Sequence, residues 1–174
     1  ADAVADIEMI DDPELDILTV AIPLHGELID PGSVFAEKYP YGGIYCLNSD
    51  DHCEPDWEPA DPDKLTCFGI DEEDTVGWTL MSAGRIGDLG FVTLPGEPLT
   101  SVGTELRDRA LAAMGLQGVF VIGYAQSYLA YLLHPDDYLL GGYEAAGSLM
   151  GPNFGAYLIG WGEAIARRLM DPEA

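Results

Sequence analysis

The hydrophobic pattern divides the chain into two parts. Residues 15–22 (LDILTVAI) are rich in alternating and β-branched residues and predict a strand. Between residues 31 and 74 no regular period is present, and glycines, prolines and three cysteines interrupt the apolar positions. With no internal repeat, we predict a single domain portion over 1–174. It consists of a loop-rich acidic segment, 1–75, and an ordered portion, 76–169.

The ordered portion begins with strands that flank one helix. The predicted strands are residues 76–81, 89–94 and 117–124. Apolar residues at spacings of three and four predict a helix that Thr100 or Ser101 caps and Gly115 ends. Two strands joined through a helix form a βαβ unit with a parallel pair. The predicted fold class is therefore α/β, with a mixed or parallel-containing sheet, flanking helices and many loops.

Two segments follow the carboxyl ends of the predicted parallel strands. Pro95–Glu97 follows the strand at 89–94, and Tyr124–Tyr131 follows the strand at 117–124. Ligand sites in such sheets form at these ends, because the loops that leave the strands converge there. A last amphipathic helix is predicted at 153–169. We therefore expect the chemistry of the protein at the first two segments.

The charge of the chain excludes some classes of partner. Its 31 acidic and 7 basic residues give a formal net charge of −24. A phosphate backbone would be repelled by this field, so nucleic-acid binding is not expected. No apolar run approaches the roughly 18 residues of a membrane-spanning helix, so we expect no transmembrane segment. The acidic run Asp71–Asp74 lacks a calcium-loop motif and favours a solvated loop over a calcium site.

Three cysteines, Cys46, Cys53 and Cys67, fall within one acidic, proline-containing stretch. This clustering is typical of a disulfide that closes a surface loop in an exported protein, so we predict a secreted or periplasmic protein. A zinc site is the alternative, with His52 beside Cys53, but no C-x-x-C pair is present. One cysteine is left over, either free or bonded to another chain. The start at Ala1, without Met, fits a processed product or a trimmed sequence.

Candidate functional side chains cluster after the two strands. Glu97 lies near a helix start, where backbone donors and the helix dipole favour an ionised carboxylate. It also fits an ordinary acid in the first turn of that helix. Tyrosines can place a hydroxyl at a polar site or simply pack, and five lie within twenty residues: Tyr124, Tyr128, Tyr131, Tyr138 and Tyr143.

Common hydrolase motifs are missing from the sequence. The histidines His25, His52 and His134 are far apart and lack the spacing of an H-E-x-x-H zinc site. No G-x-S-x-G sequence marks a serine nucleophile. The residues alone therefore predict an α/β protein with a polar pocket formed by 95–97 and 124–131.

An ordered set of short motifs resembles the neutral, non-lysosomal ceramidases. The resemblance covers about half the chain, within residues 76–169, and corresponds to the C-terminal part of the catalytic domain of that family. The motifs are residues 85–97 (RIGDLGFVTLPGE), 103–107 (GTELR), 123–131 (GYAQSYLAY), Tyr138, Tyr143-Glu144 and Gly151-Pro152.

The resemblance implies a zinc-dependent amide hydrolase. Two histidines, a glutamate and a tyrosine hold the zinc in that family, and the last two correspond to Glu97 and Tyr131. Tyr143 would lie against the scissile amide as the catalytic phenol, with Tyr128 and Gln126 as further substrate contacts. Zinc lowers the pKa of bound water to about 7, and a phenol stabilises the developing oxyanion.

Two departures from the family refine this expectation. Gln126 stands where the family usually has Asn, and residues 132–142 diverge, so the substrate is either ceramide or another N-acyl amide such as an acyl-amino acid. The zinc histidines of the family lie upstream of the matched region. The resemblance therefore implies a partner polypeptide that supplies them, which we expect to be the N-terminal product of the same precursor.

Two other functions remain as alternatives. A secreted acidic binding or structural protein would keep the fold without catalysis, and zinc that is lost in Glu97→Ala would separate it from the amidase. A self-cleaving amidase also matures into two chains. That mechanism needs Ser, Cys or Thr at the new N-terminus, and Ala1 argues against it.

Overall fold

Regular structure is concentrated in the second half of the chain. The computed structural model describes residues 11–31, 44–47, 66–69 and 77–173, and the two short segments by their backbone alone. The strands are β1 (Leu15–Pro23), β2 (Ile44–Leu47), β3 (Thr66–Gly69), β4 (Trp78–Ile86), β5 (Leu89–Thr93), β6 (Glu97–Pro98), β7 (Gly118–Ile122) and β8 (Tyr131–Leu132). The helices are α1 (Gly26–Ile29), α2 (Thr100–Met114), α3 (Pro135–Leu140), α4 (Tyr143–Ala146) and α5 (Phe154–Met170). His52, Cys53 and Asp71–Asp74, for which the sequence analysis considers metal sites or a disulfide, lie outside the described residues.

A four-stranded mixed sheet forms the centre of the fold. Its order is β1-β4-β5-β7; β4 is antiparallel to both β1 and β5, and β5 is parallel to β7. Helix α2 connects the parallel strands, so the predicted βαβ unit and the α/β class are confirmed. The sequence of residues 85–88 (RIGD) predicts a tight turn, but strand β4 extends through Arg85 and Ile86. The turn lies instead at Gly87 and Asp88, and Gly87 has a φ of 57°, which glycine adopts without strain.

Helices α2 and α5 cover one face of the sheet. Between these layers lies an apolar core in which Val92, Leu106 and Leu158 are fully buried. The helices come close together because Gly162 of α5 has no side chain at the point where Leu106 and Val92 approach. Within the described ranges, no helix has the length and apolar content needed to cross a bilayer.

The start of helix α2 differs from the prediction. Thr100 is the first helical residue, and Leu99 occupies the N-cap without a side-chain capping bond. The hydroxyl of Ser101 donates to Asp137 Oδ2 at 2.8 Å and does not cap the helix. The predicted cap at Thr100 or Ser101 is therefore wrong. The predicted end is confirmed, since Gly115 stops the helix with a left-handed φ of 65°.

Two further pairs of strands are short. Strands β2 and β3 are antiparallel, and their register sets Cys46 opposite Cys67. They lie where the pattern predicted only loops, because four-residue strands are too short to show a period. Strands β6 and β8 have two residues each and pair in parallel.

Part of the sheet face opposite the helices is apolar and exposed in the described part of the chain. The register sets Ile17, Phe91 and Phe120 in one row across it. Ile17 and Phe120 are 66% and 61% exposed. We call this surface the open face; its exposed apolar side chains are Leu15, Ile17, Ile86, Leu89, Phe120 and Ile122. Neighbouring large apolar side chains of this kind mark a surface that another element covers.

Candidate active site

The structure places Glu97 and Tyr131 directly opposite each other. Glu97 is the first residue of β6, and its register partner on β8 is Tyr131. The pairing is held by the N–H of Glu97, which donates to the oxygen of Ala130 at 2.8 Å. The N–H of Leu99 donates to the oxygen of Leu132 at 3.0 Å. The two side chains predicted as metal ligands therefore come from adjacent strands at the carboxyl-terminal edge of the sheet.

The close pairing of these strands requires glycine in both motifs. A Cβ atom at Gly96 would overlap the carbonyl oxygen of Ala130. A Cβ atom at Gly123 would lie 3.0 Å from both the oxygen of Gly96 and the Cδ of Pro98. Because larger residues would separate the two segments, these glycines keep Glu97 within reach of the tyrosines.

The loop between β7 and β8 has an unusual backbone. Tyr124, Gln126 and Ala130 have φ values of 55°, 69° and 58°, in the left-handed region that non-glycine residues rarely adopt. Such conformations cost about 1–3 kcal/mol each and persist only where other contacts hold them. Here the N–H of Tyr124 donates to Gly96 O at 2.9 Å, and the N–H of Leu129 donates to Pro95 O at 2.7 Å. We call residues 123–130 the tyrosine loop.

Two tyrosines of this loop orient the carboxylate of Glu97. The hydroxyl of Tyr128 donates to Glu97 Oε1 at 2.5 Å, and Tyr124 makes a second hydrogen bond to the same carboxylate. The two rings stack, with centroids 5.7 Å apart. The hydrogen bonds from Tyr124 and Tyr128 lower the pKa of Glu97, so the group is held ionised. Reciprocally, the bond to Glu97 raises the pKa of Tyr124 and of Tyr128 to about 12.

Tyr131 and Tyr143 form a second aromatic pair. Their ring centroids are 5.7 Å apart with an interplanar angle of 71°. A hydrogen bond to Tyr143 is the main cause that raises the pKa of Tyr131 to about 12. A Cβ atom at Gly147 would lie 2.7 Å from the Tyr131 ring, so a larger residue at this position would displace the ring. Tyr143 is 67% exposed, and its ring is open to solvent beside the candidate ligands.

Gln126 points its amide toward the sheet. Its Nε2 donates to Ser82 Oγ at 2.6 Å, and its Oε1 accepts a hydrogen bond from Thr93 Oγ1 at 2.9 Å. Sequence reasoning did not identify Ser82, Thr93 or the contact of Tyr124 with Glu97. Tyr124 could have been found from its place in the tyrosine cluster; Ser82 and Thr93 lie on other strands and carry no local signal.

The described histidines do not complete a metal site. His134 Nε2 lies 3.2 Å from Glu105 Oε2 of helix α2. His25 occupies the position that precedes helix α1. Among the described residues, no group of three or more His, Cys, Asp and Glu side chains is arranged to hold a metal ion. Of the remaining candidates, Tyr138 is fully buried in the core and Glu144 is exposed. Glu97 and Tyr131 thus bring a carboxylate and a phenol oxygen to adjacent strands.

Comparison with known proteins identifies relatives of part of the chain. No protein-family model matches it. The neutral ceramidase of Mycobacterium tuberculosis is 36% identical over 69 residues, which are 38% of this chain and 11% of the relative. That of Drosophila pseudoobscura pseudoobscura is 30% identical over 94 residues, 51% of this chain and 13% of the relative. The match therefore spans a small fraction of these curated relatives.

Solved structures share the fold over most of the chain. A neutral ceramidase from Pseudomonas aeruginosa superposes with a TM-score of 0.64 and 20% identity, over 91% of this chain and 29% of that chain. A ceramidase complexed with C2 superposes with a TM-score of 0.63 and 19% identity, over 91% of this chain and 30% of that chain. The fold is thus an α/β arrangement that forms one portion of larger proteins. With the curated matches, it confirms the resemblance to part of the neutral ceramidases.

Proposed function

We propose that the chain is one part of a zinc-dependent hydrolase that cleaves N-acyl amides. The observation that carries the proposal is the register of Glu97 and Tyr131 on β6 and β8, with Tyr143 packed against Tyr131. These are the residues to which the ceramidase resemblance assigns metal binding and catalysis. The relatives are named neutral ceramidases, which supports an amide-cleaving reaction.

The donor set of the site fits zinc in part. Zinc accepts carboxylate oxygens and takes four ligands in total, so Glu97 and Tyr131 would fill two positions. When bound, the metal would supply a water molecule activated near neutral pH. Tyr131 must lose its proton to become a ligand, and its raised pKa means that zinc and the proton compete for it. Glu97 needs no such change, because its hydrogen bonds already favour the ionised form.

The remaining side chains bind and orient the substrate in this proposal. Tyr143 donates its phenol hydrogen toward the oxygen of the scissile amide, where negative charge develops. Tyr128 fixes Glu97 and is itself exposed, and Gln126 retains one amide hydrogen for a substrate group. The substrate is ceramide or another N-acyl amide, since Gln126 and residues 132–142 depart from the family pattern.

A second polypeptide would supply the two missing zinc ligands as histidines. Among the described residues, no group of three or more His, Cys, Asp and Glu side chains could hold a metal ion by itself. The chain matches only 30% of the length of a solved ceramidase, so most of that fold lies outside the matched part. The open face supports the same proposal, because its apolar side chains would be buried by a partner. We expect the partner to be the N-terminal product of the same precursor and the assembly to be secreted or periplasmic.

Two substitutions test the proposed reaction on the assembled protein. Glu97→Gln removes a charged ligand, so zinc and hydrolysis of an N-acyl amide should both be lost. Tyr143→Phe should keep zinc but lower kcat by about 10²–10³-fold, because one oxyanion donor is missing. Glu27→Gln, at an exposed carboxylate of α1, is the matched control and should change neither.

A binding or structural role is the remaining candidate. It would be supported by wild-type protein that holds no zinc and cleaves no N-acyl amide after zinc is added. Zinc retained by Glu97→Gln at the wild-type level would contradict the assignment of this residue as a ligand.

A further inference from the structure

The amide of Gln126 links the tyrosine loop to strands β4 and β5 of the sheet. Its Nε2 donates to Ser82 Oγ of β4 at 2.6 Å, and Thr93 Oγ1 of β5 donates to its Oε1 at 2.9 Å. Ser82 Oγ also lies 2.7 Å from Thr19 Oγ1 of β1. Nearby, Ser127 Oγ lies 2.5 Å from Thr79 Oγ1 of β4. The loop therefore attaches directly to β4 and β5, and Ser82 extends these contacts to β1.

The hydroxyl of Thr93 has a defined direction. It accepts a hydrogen bond from the backbone N–H of Ser82 at 2.7 Å, so its own hydrogen is free to donate elsewhere. The oxygen of Gln126 lies at 2.9 Å, whereas the carbonyl oxygen of Ser82 lies at 3.4 Å. A hydroxyl has one hydrogen, and the shorter contact to Gln126 takes it. In this arrangement the NH₂ group of Gln126 faces Ser82.

This attachment lies at the strained part of the site. Gln126 itself has a φ of 69°, between Tyr124 at 55° and Ala130 at 58°. Tyr124 and Tyr128, on either side of Gln126, carry the hydroxyls that bind the carboxylate of Glu97. Because the left-handed backbone needs support from contacts outside the loop, the Gln126 amide is placed to supply it.

We infer that Ser82, Thr93 and Gln126 form a positioning network that holds the tyrosine loop, and through Tyr124 and Tyr128 the carboxylate of Glu97, in the geometry that binds zinc. None of the three needs to touch the metal. The effect on zinc affinity rests on the proposed function. The effect on the tyrosine loop does not, because it can be measured by hydrogen exchange in the metal-free protein. Outer-sphere partners of this kind typically change metal affinity about 10–100-fold.

Variants at Thr93 and Gln126 test the network in the full protein assembly. Thr93→Val removes the hydroxyl at constant shape, and Gln126→Ala removes the amide. Both should weaken zinc about 10–100-fold in competition with a chromophoric chelator. Both should also speed hydrogen exchange of residues 123–131 in the metal-free protein, with exchange in α5 unchanged. Thr93→Ser, which keeps the hydroxyl, should restore zinc affinity and exchange to near the wild-type level.

Gln117→Ala is the matched control. This exposed glutamine bonds Asp88 at the opposite end of the sheet, and its removal should leave both readouts unchanged. The inference is overturned if Gln126→Ala and Thr93→Val show the same hydrogen exchange of residues 123–131 and the same zinc affinity as Gln117→Ala. A wild-type assembly without zinc would instead overturn the proposed function, and the exchange measurement would still decide whether the network supports the loop.

Discussion

A phenol hydroxyl donates a single hydrogen bond, and at Glu97 the hydroxyls of Tyr124 and Tyr128 are both directed at one carboxylate. This arrangement keeps the carboxylate ionised and restricts its rotation. Tyr131, across the strand pair, is bonded to Tyr143 and not to Glu97. The site therefore holds one ionised carboxylate beside a phenol that keeps its proton at neutral pH.

The tyrosine pKa values give a pH prediction for the metal-free protein. The bond to Glu97 raises the pKa of Tyr124 and Tyr128 from 10.0 to about 12. Since a raised pKa stabilises the folded state below the unfolded value, this contribution is present below pH 10 and is lost as pH rises toward 12. In Glu97→Gln, two tyrosines should titrate closer to pH 10 by the ultraviolet absorbance of tyrosinate.

The matched control for this titration is Glu27→Gln, which should keep the wild-type curve. The reciprocal effect lowers the pKa of Glu97, so its contribution to stability is present above its ordinary pKa of 4.5 and lost at lower pH. A titration curve that is identical in wild type and Glu97→Gln would contradict the hydrogen bonds described here.

The sequence predicted some of these residues and missed others. Glu97 and Tyr131 came from motif resemblance, because a two-residue strand such as β6 has no period of its own. The residues alone left Glu97 open between a carboxylate held ionised at a functional site and an ordinary first-turn acid. The link from Gln126 to Ser82 and Thr93 joins positions 44 and 33 residues apart, so only the folded chain reveals it.

At the scale of elements, glycines set how closely α5 approaches its neighbours. A Cβ atom at Gly155 would overlap the backbone oxygen of Leu133, one residue after β8. A Cβ atom at Gly160, one and a half turns further along the same helix, would meet nothing within 4 Å. The same chemical change therefore has opposite expected effects at these two positions.

Alanine substitutions in α5 test this packing. Gly155→Ala should destabilise the protein by about 1–3 kcal/mol, because the backbone of Leu133 cannot yield as a side chain does. Gly160→Ala should stabilise it by about 0.4–1 kcal/mol, because alanine restricts the unfolded chain and favours helix. Thermal unfolding of each variant measures both effects. Equal changes in the midpoint for the two variants would contradict the described position of α5.

The longer elements were predictable because each shows several periods. β1, β5, β7 and α2 fall within a few residues of the predicted bounds, and the left-handed Gly115 ends α2 as expected. The start of α2 was not predictable, since Thr100 and Ser101 both satisfy the capping pattern while Leu99 occupies the N-cap. Strands β2 and β3 were missed because each has only four residues.

At the scale of the whole molecule, the two faces of the sheet differ in what covers them. The helices α2 and α5 bury one face, and the open face presents exposed Leu15, Ile17 and Phe120. The net charge of −24 would keep copies of this chain apart, so the open face favours a different polypeptide as its cover. This surface is where we expect the partner that carries the zinc histidines.

A charge on the open face should prevent this association. Phe120→Asp places a carboxylate among apolar side chains, and the cost of burying it should reduce the amount of partner that copurifies with the chain. Ala156→Asp, at an exposed position in the first turn of α5, adds the same charge where the helix dipole tolerates it and should leave the assembly intact. Equal recovery of the partner with both variants would argue against the open face as the interface.

Native mass spectrometry with metal analysis of the same sample tests the central claim most directly. We predict an assembly of this chain with a second polypeptide and one zinc ion, and the same assembly without zinc for Glu97→Gln. A metal-free single chain of 18.7 kDa, in protein that has been supplied with zinc, would contradict the account.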